Sequence, residues 1–349
     1  MGKRSHRSTL PPPGPVRSVA GAVPHPLRPY AGSYTMSVVL PTYKVAPYLC
    51  GCLDSLLVGA PDNLEIIVVD DGSPDECGAI ADEYAAADHH VRVIHQANAG
   101  VSAARNAGFD ASQSTYVAFV DPDDSVEPYW ARLLLEDAGS GRPAIVKGDV
   151  RQVDISGQPG LPIQEWRAMQ ASTPLHWFGG VWSAIYRRDF LLRHGLRFVP
   201  GLSFEDLDFQ VRALVAAMLS GEVVAVSPRA MYCHHHREGS FERSKFGSAK
   251  IAGCLRNFEG LHALLYRHQT QLPQADLGVQ YHALVSRCFG WASRAENPDD
   301  AAACRELAER MARECPVPDD MQRAREIEQR ATESRRQAAA QLAAGGRPA

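Results

Sequence analysis

Three acidic clusters define the chemistry this chain could perform. The stretch "VVDDGSPDE" (68–76) sets Asp70 and Asp71 side by side after an apolar run, and "VDPDDS" (120–125) repeats the pattern with Asp121, Asp123 and Asp124. A third pair, Glu205 and Asp206, opens the helix-like stretch "EDLDFQVRALVAAML". Aspartate is common in turns because its short side chain accepts nearby backbone N–H groups, so each cluster alone reads equally well as a solvated turn. Crowded carboxylates also repel one another, and a divalent cation relieves them. Mg2+ or Mn2+ takes one or two carboxylates and fills its octahedron with water and phosphate oxygens. Asp121 and Asp123 read as an Asp-x-Asp in extended backbone, where alternate residues point the same way, so both can face one ligand.

The elements that carry these acids alternate. "SVVLP" (37–41) reads as a buried strand, "APYLCGCLDSLL" (46–57) as a helix with Pro47 in its first turn, and "LEIIVV" (64–69) as a second strand. Ser73-Pro74-Asp75-Glu76 predicts a capping box opening a helix that runs to Ala87. "VRVIH" (91–95), "VSAARNAGFDA" (101–111) and "TYVAFV" (115–120) continue as strand, helix and strand. Alternation of this kind predicts a parallel sheet with right-handed crossovers. The first strand then ends at Pro41-Thr42-Tyr43, the second at Asp70-Asp71 and the fourth at Asp121, all on the carboxyl edge that forms the ligand crevice of open α/β sheets. Turn chemistry alone would scatter aspartates over both edges.

Further strands are expected at 144–150, 182–186 and 222–226, with a helix at 205–219. Beyond residue 245 the composition is helical without a strong apolar stripe. This predicts a peripheral helical extension, with packing on an oligomer partner or a membrane surface left open. The chain accordingly divides into a tail (1–35), a catalytic domain (36–244) and a helical C-terminal region (245–349).

Composition narrows the partners. With 349 residues, 45% hydrophobic and 22% charged, the chain can bury a sizeable core, and a net charge of -4 offers no electrostatic footprint for nucleic acid. The eight cysteines are scattered without zinc-site spacing and read as reduced, mostly buried thiols. No apolar run is long enough to span a bilayer, so the expected location is the cytoplasm, including a peripheral position at the inner face of the membrane. Residues 1–35 are proline-rich, basic and free of acids, which predicts disorder. Met36 directly precedes the first strand, so the upstream tail is expected either to derive from a misassigned start or to touch anionic lipid or a partner.

Five segments in order, "SVVLPTYKVAPYLCGCLDSLL", "EIIVVDDGSPDE", "NAGVSAARNAGFDAS", "YVAFVDPDDSVEP" and "WSAIYRRDFLLRHGLRFVPGLSFEDLDF", resemble the inverting nucleotide-sugar glycosyltransferases of family 2 over about 36–240. The resemblance implies the GT-A fold, an α/β Rossmann-like, mostly parallel sheet flanked by helices. It implies that Pro41, Thr42 and Tyr43 line a nucleobase and ribose pocket, with the Tyr43 ring stacking. Asp71 would accept a hydrogen bond from the base, usually uracil, with Asp70 behind it. Asp121 would contact ribose or metal-bound water, Asp123 would ligate Mn2+ or Mg2+ bridging the diphosphate, and Asp124 would share metal or donor-sugar contacts. Asn98, Gly100, Arg105 and Asn106 match the stretch before the metal motif, where the arginine lies near the diphosphate or orients carboxylates.

An acceptor hydroxyl needs a base as its bond to carbon forms. The resemblance points to Asp206, beside Glu205, although Ser203-x-x-Asp206 reads equally as a capping box. In "YCHHHREGSFERS" (232–244), Arg237 and Ser240 loosely fit a segment near the donor diphosphate. Neighbouring strand residues face opposite sides, so of the three histidines only His234 and His236 can converge. The implied reaction is a metal-dependent, inverting transfer from a nucleotide-diphosphate sugar, most often a UDP-sugar, to a hydroxyl of a glycan, glycolipid or small molecule. A catalytically silent nucleotide-sugar binder of an assembly complex is the alternative. A nucleotidyltransferase would carry a glycine-rich phosphate loop that "PTYKVAP" lacks, and an oxidoreductase would carry a GxGxxG after the first strand.

Overall fold

The computed structural model describes residues 35–153, 180–235 and 246–315. Strands β1 (Met36–Thr42) and β2 (Leu64–Asp70) are buried along their whole length, which is why they read as continuous apolar runs. Between them α1 (Ala46–Leu57) buries Leu49, Cys52, Leu53 and Leu56, one face of a 3.6-residue period. Then follow α2 (Cys77–Ala87), β3 (Val91–His95), α3 (Val101–Ala111) and β4 (Tyr116–Phe119). Strand β1 pairs in parallel with β2 and β4, and β2 with β3, so the carboxyl ends of these strands open on one rim. Helix α3 sits hard against β1: a Cβ added to Gly108 would stand 2.3 Å from Cγ1 of Val39.

The second half contains β5 (Ser125–Val126), α4 (Trp130–Ala138), β6 (Ile145–Val153), a short 3-10 turn (Val181–Ser183), β7 (Ala184–Arg187), α5 (Arg188–Arg193), α6 (Glu205–Leu219) and β8 (Val224–His235). The sheet order is β3-β2-β1-β4-β7-β6-β8-β5. Strand β7 runs antiparallel to β4, which makes the sheet mixed beyond the parallel half. The strand expected at 222–226 is in fact twelve residues long and carries on through His234 and His235. Its pairing with β6 jumps from Ser227 to Met231, so Pro228 and its neighbours form an irregularity instead of ending the strand.

Two expected capping boxes do not form. Ser73 Oγ instead donates to the Thr42 carbonyl at 3.3 Å, and Asp75 accepts the Ala46 N–H that starts α1 at 3.1 Å. Ser203 Oγ donates to the Lys250 carbonyl at 3.0 Å, and Phe204, in a left-handed conformation, is the residue that precedes α6. In both places a contact to another element outcompetes the local cap.

The C-terminal helices correct the expectation of a peripheral extension. Helices α7 (Ser248–Arg267), α8 (Gln274–Ala292) and α9 (Pro298–Glu314) bury Ile251, Phe258, Leu261, Trp291, Leu307 and Met311 in one continuous core with the sheet. Much of the buried stripe of α9 is Ala301, Cys304, Ala308 and Ala312, small residues set among charged ones. All eight cysteines are free thiols and only Cys50 is partly exposed. Among the described residues no helix is long and apolar enough to cross a membrane. The tail to residue 34, the positions His236, Arg237 and Ser240, and the chain after 315 lie outside the described residues.

Candidate active site

The rim of the parallel half brings the first two acidic positions together. The Asp71 N–H donates to the Thr42 carbonyl at 2.9 Å, fixing the end of β2 against the end of β1. Pro41 and Thr42 are buried, whereas Tyr43 turns its ring outward with the Lys44 ammonium 5.0 Å from its centroid. Asp71 itself is buried and ties down the loop after β3: Oδ1 accepts from Gln96 Nε2 at 2.7 Å and the Ala99 N–H at 2.9 Å, and Oδ2 accepts the Gly100 N–H at 2.8 Å. Asn98 adds a 2.9 Å bond to the Asp71 carbonyl. Gly100, at φ 87, takes a backbone conformation that other residues rarely adopt.

Asp70 points to the other side of the strand, where it accepts the Ser73 N–H at 3.0 Å and meets His95 Nδ1 at 3.0 Å. Burial works to raise its pKa, but these bonds from Ser73 and His95 outweigh it and hold the carboxyl below its ordinary value. Asp70 thus supports the Asp71 loop from behind.

The second cluster is a turn, which corrects the expectation of extended backbone. The Asp124 N–H donates to the Asp121 carbonyl at 3.1 Å, with Pro122 and Asp123 at the centre. Proline's fixed φ suits the first of these positions. Asp121 and Asp123 therefore meet at a bend, and Asp124 turns inward. Its Oδ2 accepts the Tyr232 hydroxyl and its Oδ1 the His235 N–H, both at 2.7 Å. Burial, followed by the charges of Asp121 and Asp123, pushes the Asp124 pKa well above the carboxylate range. Tyr232 also accepts the Asp121 N–H at 3.2 Å, so one phenol anchors both ends of the turn to β8.

His234 and His235 face opposite sides, as a strand requires. His234 stacks on Trp182 at 5.3 Å, the same indole that stacks on Tyr232 at 4.5 Å, and His235 Nε2 meets Ser125 Oγ at 2.8 Å. Among the described residues, three metal-ligating side chains crowd within 4.8 Å only at Asp88, His89 and His90. That group precedes β3, at the opposite edge of the sheet. The acids of 121–124 are more widely spread, with Asp123 partly exposed at the tip of the turn.

Arg105 joins the second cluster to the third. Its guanidinium is buried on α3 and reaches Asp121 Oδ1 at 2.7 Å with one nitrogen and Glu205 Oε1 at 2.6 Å with the other. Burial would lower its pKa, but Asp121, Glu205 and Asp206 together raise it, so the charge is fixed. Phe198 lies against the same guanidinium at 5.1 Å, and Asn106 holds the Phe198 segment by a 2.9 Å bond to its carbonyl. Glu205 is thereby committed to Arg105. Asp206, one residue on and half-buried, has its pKa pushed up to about 6, by burial first and then by Glu205. The hydroxyl of Tyr186 is buried without a hydrogen-bond partner, and Asp206 adds to burial in raising its pKa.

A buried cation between two acidic motifs, beside a carboxylate whose pKa is pushed up to about 6, is an arrangement suited to moving a proton at a charged ligand. Sequence reading missed Gln96, Trp182, Tyr186 and Tyr232. Tyr232 stood beside the histidines that drew notice, Trp182 and Tyr186 lay within a quoted segment without a role assigned to them, and Gln96 lay outside every segment.

The family model for glycosyl transferase family 2 matches residues 37–194. The uncharacterized glycosyltransferase EpsJ of Bacillus subtilis is 34% identical over 249 residues, covering 67% of this chain and 70% of its own length. The uncharacterized glycosyltransferase YibD of Escherichia coli is 32% identical, over 59% of this chain and 65% of its own length. The crystal structure of S. aureus TarS in complex with UDP-GlcNAc shares the fold with a TM-score of 0.55 and 20% identity, over 79% of this chain and 90% of that one. The fold, the rim of acids and these likenesses agree: the chain belongs to glycosyl transferase family 2 and is a glycosyltransferase with the GT-A fold.

Proposed function

We propose that the enzyme transfers its sugar with inversion, from a UDP-sugar to an acceptor hydroxyl, with Asp206 as base and a divalent cation at the 121–124 turn. The observation that carries this reading is the Arg105 bridge, which fastens the 121–124 turn and the first turn of α6 to one another. Hard carboxylate oxygens suit Mg2+ or Mn2+, and the residues fit such an ion in kind: Asp121 and Asp123 are both partly exposed at the turn, and Arg105 bonds Oδ1 of Asp121. When bound, the ion would neutralise charge on the departing diphosphate. Asp124, with both oxygens bonded to β8, serves to hold the turn.

The chain's own groups supply the rest. Tyr43 offers an exposed ring for base stacking, one residue from Thr42, whose carbonyl holds the Asp71 N–H. Asp206 accepts the acceptor's proton as the new C–O bond forms, in one displacement that needs no covalent sugar–enzyme intermediate. A pKa of about 6 leaves it ionised at neutral pH yet still a competent proton acceptor. UDP is favoured because crystals of the TarS neighbour hold UDP and UDP-GlcNAc. The acceptor class stays a glycan, glycolipid or small-molecule hydroxyl.

The test is a panel of UDP-, GDP- and dTDP-sugars with and without Mn2+, scored by released nucleotide and, separately, by calorimetry of nucleotide binding. Asp123→Ala is expected to abolish Mn2+-dependent UDP binding. Asp206→Asn is expected to bind UDP normally and lose turnover by about 100-fold or more. Full transfer by Asp206→Asn, or UDP binding indifferent to Mn2+, would reject the reading.

A further inference from the structure

The residue before the acidic pair is held in an unusual conformation by a helix far away in sequence. Phe204 sits at φ 59 and ψ 46, left-handed for a bulky side chain, and no side chain caps the helix it precedes. Its two dihedral angles set the direction in which the chain enters α6, and hence where Glu205 and Asp206 point. Asn257, buried on α7, donates from its one amide nitrogen to the Ser203 carbonyl at 2.9 Å and to the Phe204 carbonyl at 2.7 Å. The first carbonyl reports the peptide plane that defines φ of Phe204, and the second reports ψ. One side chain thus fixes both. The reverse amide orientation would press an oxygen against two carbonyls, and the present one leaves Asn257 Oδ1 without a partner.

Other contacts press the same segment onto the helix. A Cβ on Gly253 would stand 2.5 Å from Ser203 Oγ and 2.9 Å from its nitrogen, so only glycine allows this approach. Arg256 donates to the Gly201 carbonyl at 2.6 Å, and the Phe204 ring stacks on Trp291 of α8 at 5.4 Å.

We propose that Asn257 is a positioning residue for the transfer reaction: through the left-handed turn at Phe204 it aims Asp206 into the crevice. This rests on the reading of Asp206 as the base. Such a role predicts a loss in turnover without a loss in donor binding, together with a change in how the base titrates.

The experiment uses the full chain, with UDP plus Mn2+ as the binding probe and, for turnover, the UDP-sugar hydrolysed or transferred fastest in the panel. Asn257→Asp, which keeps the shape but sets a carboxylate against two carbonyls, is expected to lower kcat at least tenfold. The donor KM and UDP affinity should stay within twofold of wild type. The acid limb of kcat/KM, expected near pH 6, should move from its wild-type position, water lowering the pKa of Asp206 and the new carboxylate raising it. A purely structural asparagine would leave that limb in place.

If Asn257→Asp fails to fold, Arg256→Ala, on the exposed side of α7, should lower kcat several-fold with unchanged KM. Wild-type kcat and an unmoved limb in the variant that folds would overturn the proposal. Asp206→Asn runs beside them: if it is dead while the clamp variants are normal, only the clamp falls, and if it is fully active, the base reading falls and takes the clamp's catalytic role with it.

Discussion

At the scale of single residues, the site is a chain of charges in which each member sets the next. Asp121 and Glu205 share the fork of Arg105, which lysine, a point charge on a flexible stem, could not span. Asp206 is then the acid left without the fork, crowded by Glu205, and folding raises its pKa from about 4 to about 6. The sign of the consequence is fixed by linkage. The native state holds this proton more tightly than the unfolded chain, so stability is fully present below about pH 4 and falls as pH rises through about 6. Above that, the ionised acid is a standing cost to the fold. Asp206→Asn is therefore expected to melt at the same temperature as wild type near pH 4 and at a higher one near pH 8. A melting difference of the same size at both pH values would mean that Asp206 is not strained by ionisation. Such a gain in stability at the expense of turnover is the usual trade at a functional site.

At the scale of elements, close approach between helix and strand sets the rim. Gly108 lets α3 lie on β1, which puts Arg105, one helical turn earlier, within reach of Asp121. Gly108→Ala would drive a methyl group into Val39 and is expected to destabilise the chain by about 1–3 kcal/mol, as overpacking does. Urea unfolding followed by circular dichroism measures this, and an unchanged midpoint would show that α3 can shift without strain. The elements of the parallel half were legible in the sequence because their signals are local: "SVVLP" and "LEIIVV" are uninterrupted apolar runs, and α1 shows its apolar face directly. The second half was less legible because its determinants are remote. Nothing near Pro228 announces that β8 continues beyond it, and the two-residue β5 exists only through pairing with Tyr232 and Cys233. The acids were visible as types and positions, but their partners were not: Glu205 lies 100 residues from Arg105, and Tyr232 lies 108 from Asp124.

At the scale of the whole molecule, the division expected at residue 245 is not a division of the core. Phe258 and Trp291 touch at 4.4 Å, Trp291 also meets Phe204, and the apolar residues of α7, α8 and α9 run on into those beneath the sheet. Polar contacts follow the same seam, from Ser203 to Lys250 and from Asn257 to the Ser203 and Phe204 carbonyls. A chain ended at residue 245 would expose this apolar face and lose the ties that Lys250, Arg256, Asn257 and Trp291 make to residues 201–204. Burial of a large apolar side chain contributes about 1.5–3 kcal/mol, and a protein has only about 5–15 kcal/mol in total, so losing several such residues together exceeds the margin. The shortened chain is expected to be aggregated or to lack a cooperative melt, whereas a chain begun at Met36 with its C-terminal helices intact should melt cooperatively. Differential scanning calorimetry of the two distinguishes the cases. A sharp, reversible transition in the chain ended at 245 would establish that the catalytic half folds by itself, and α7 would then be an attachment to the site rather than part of its foundation.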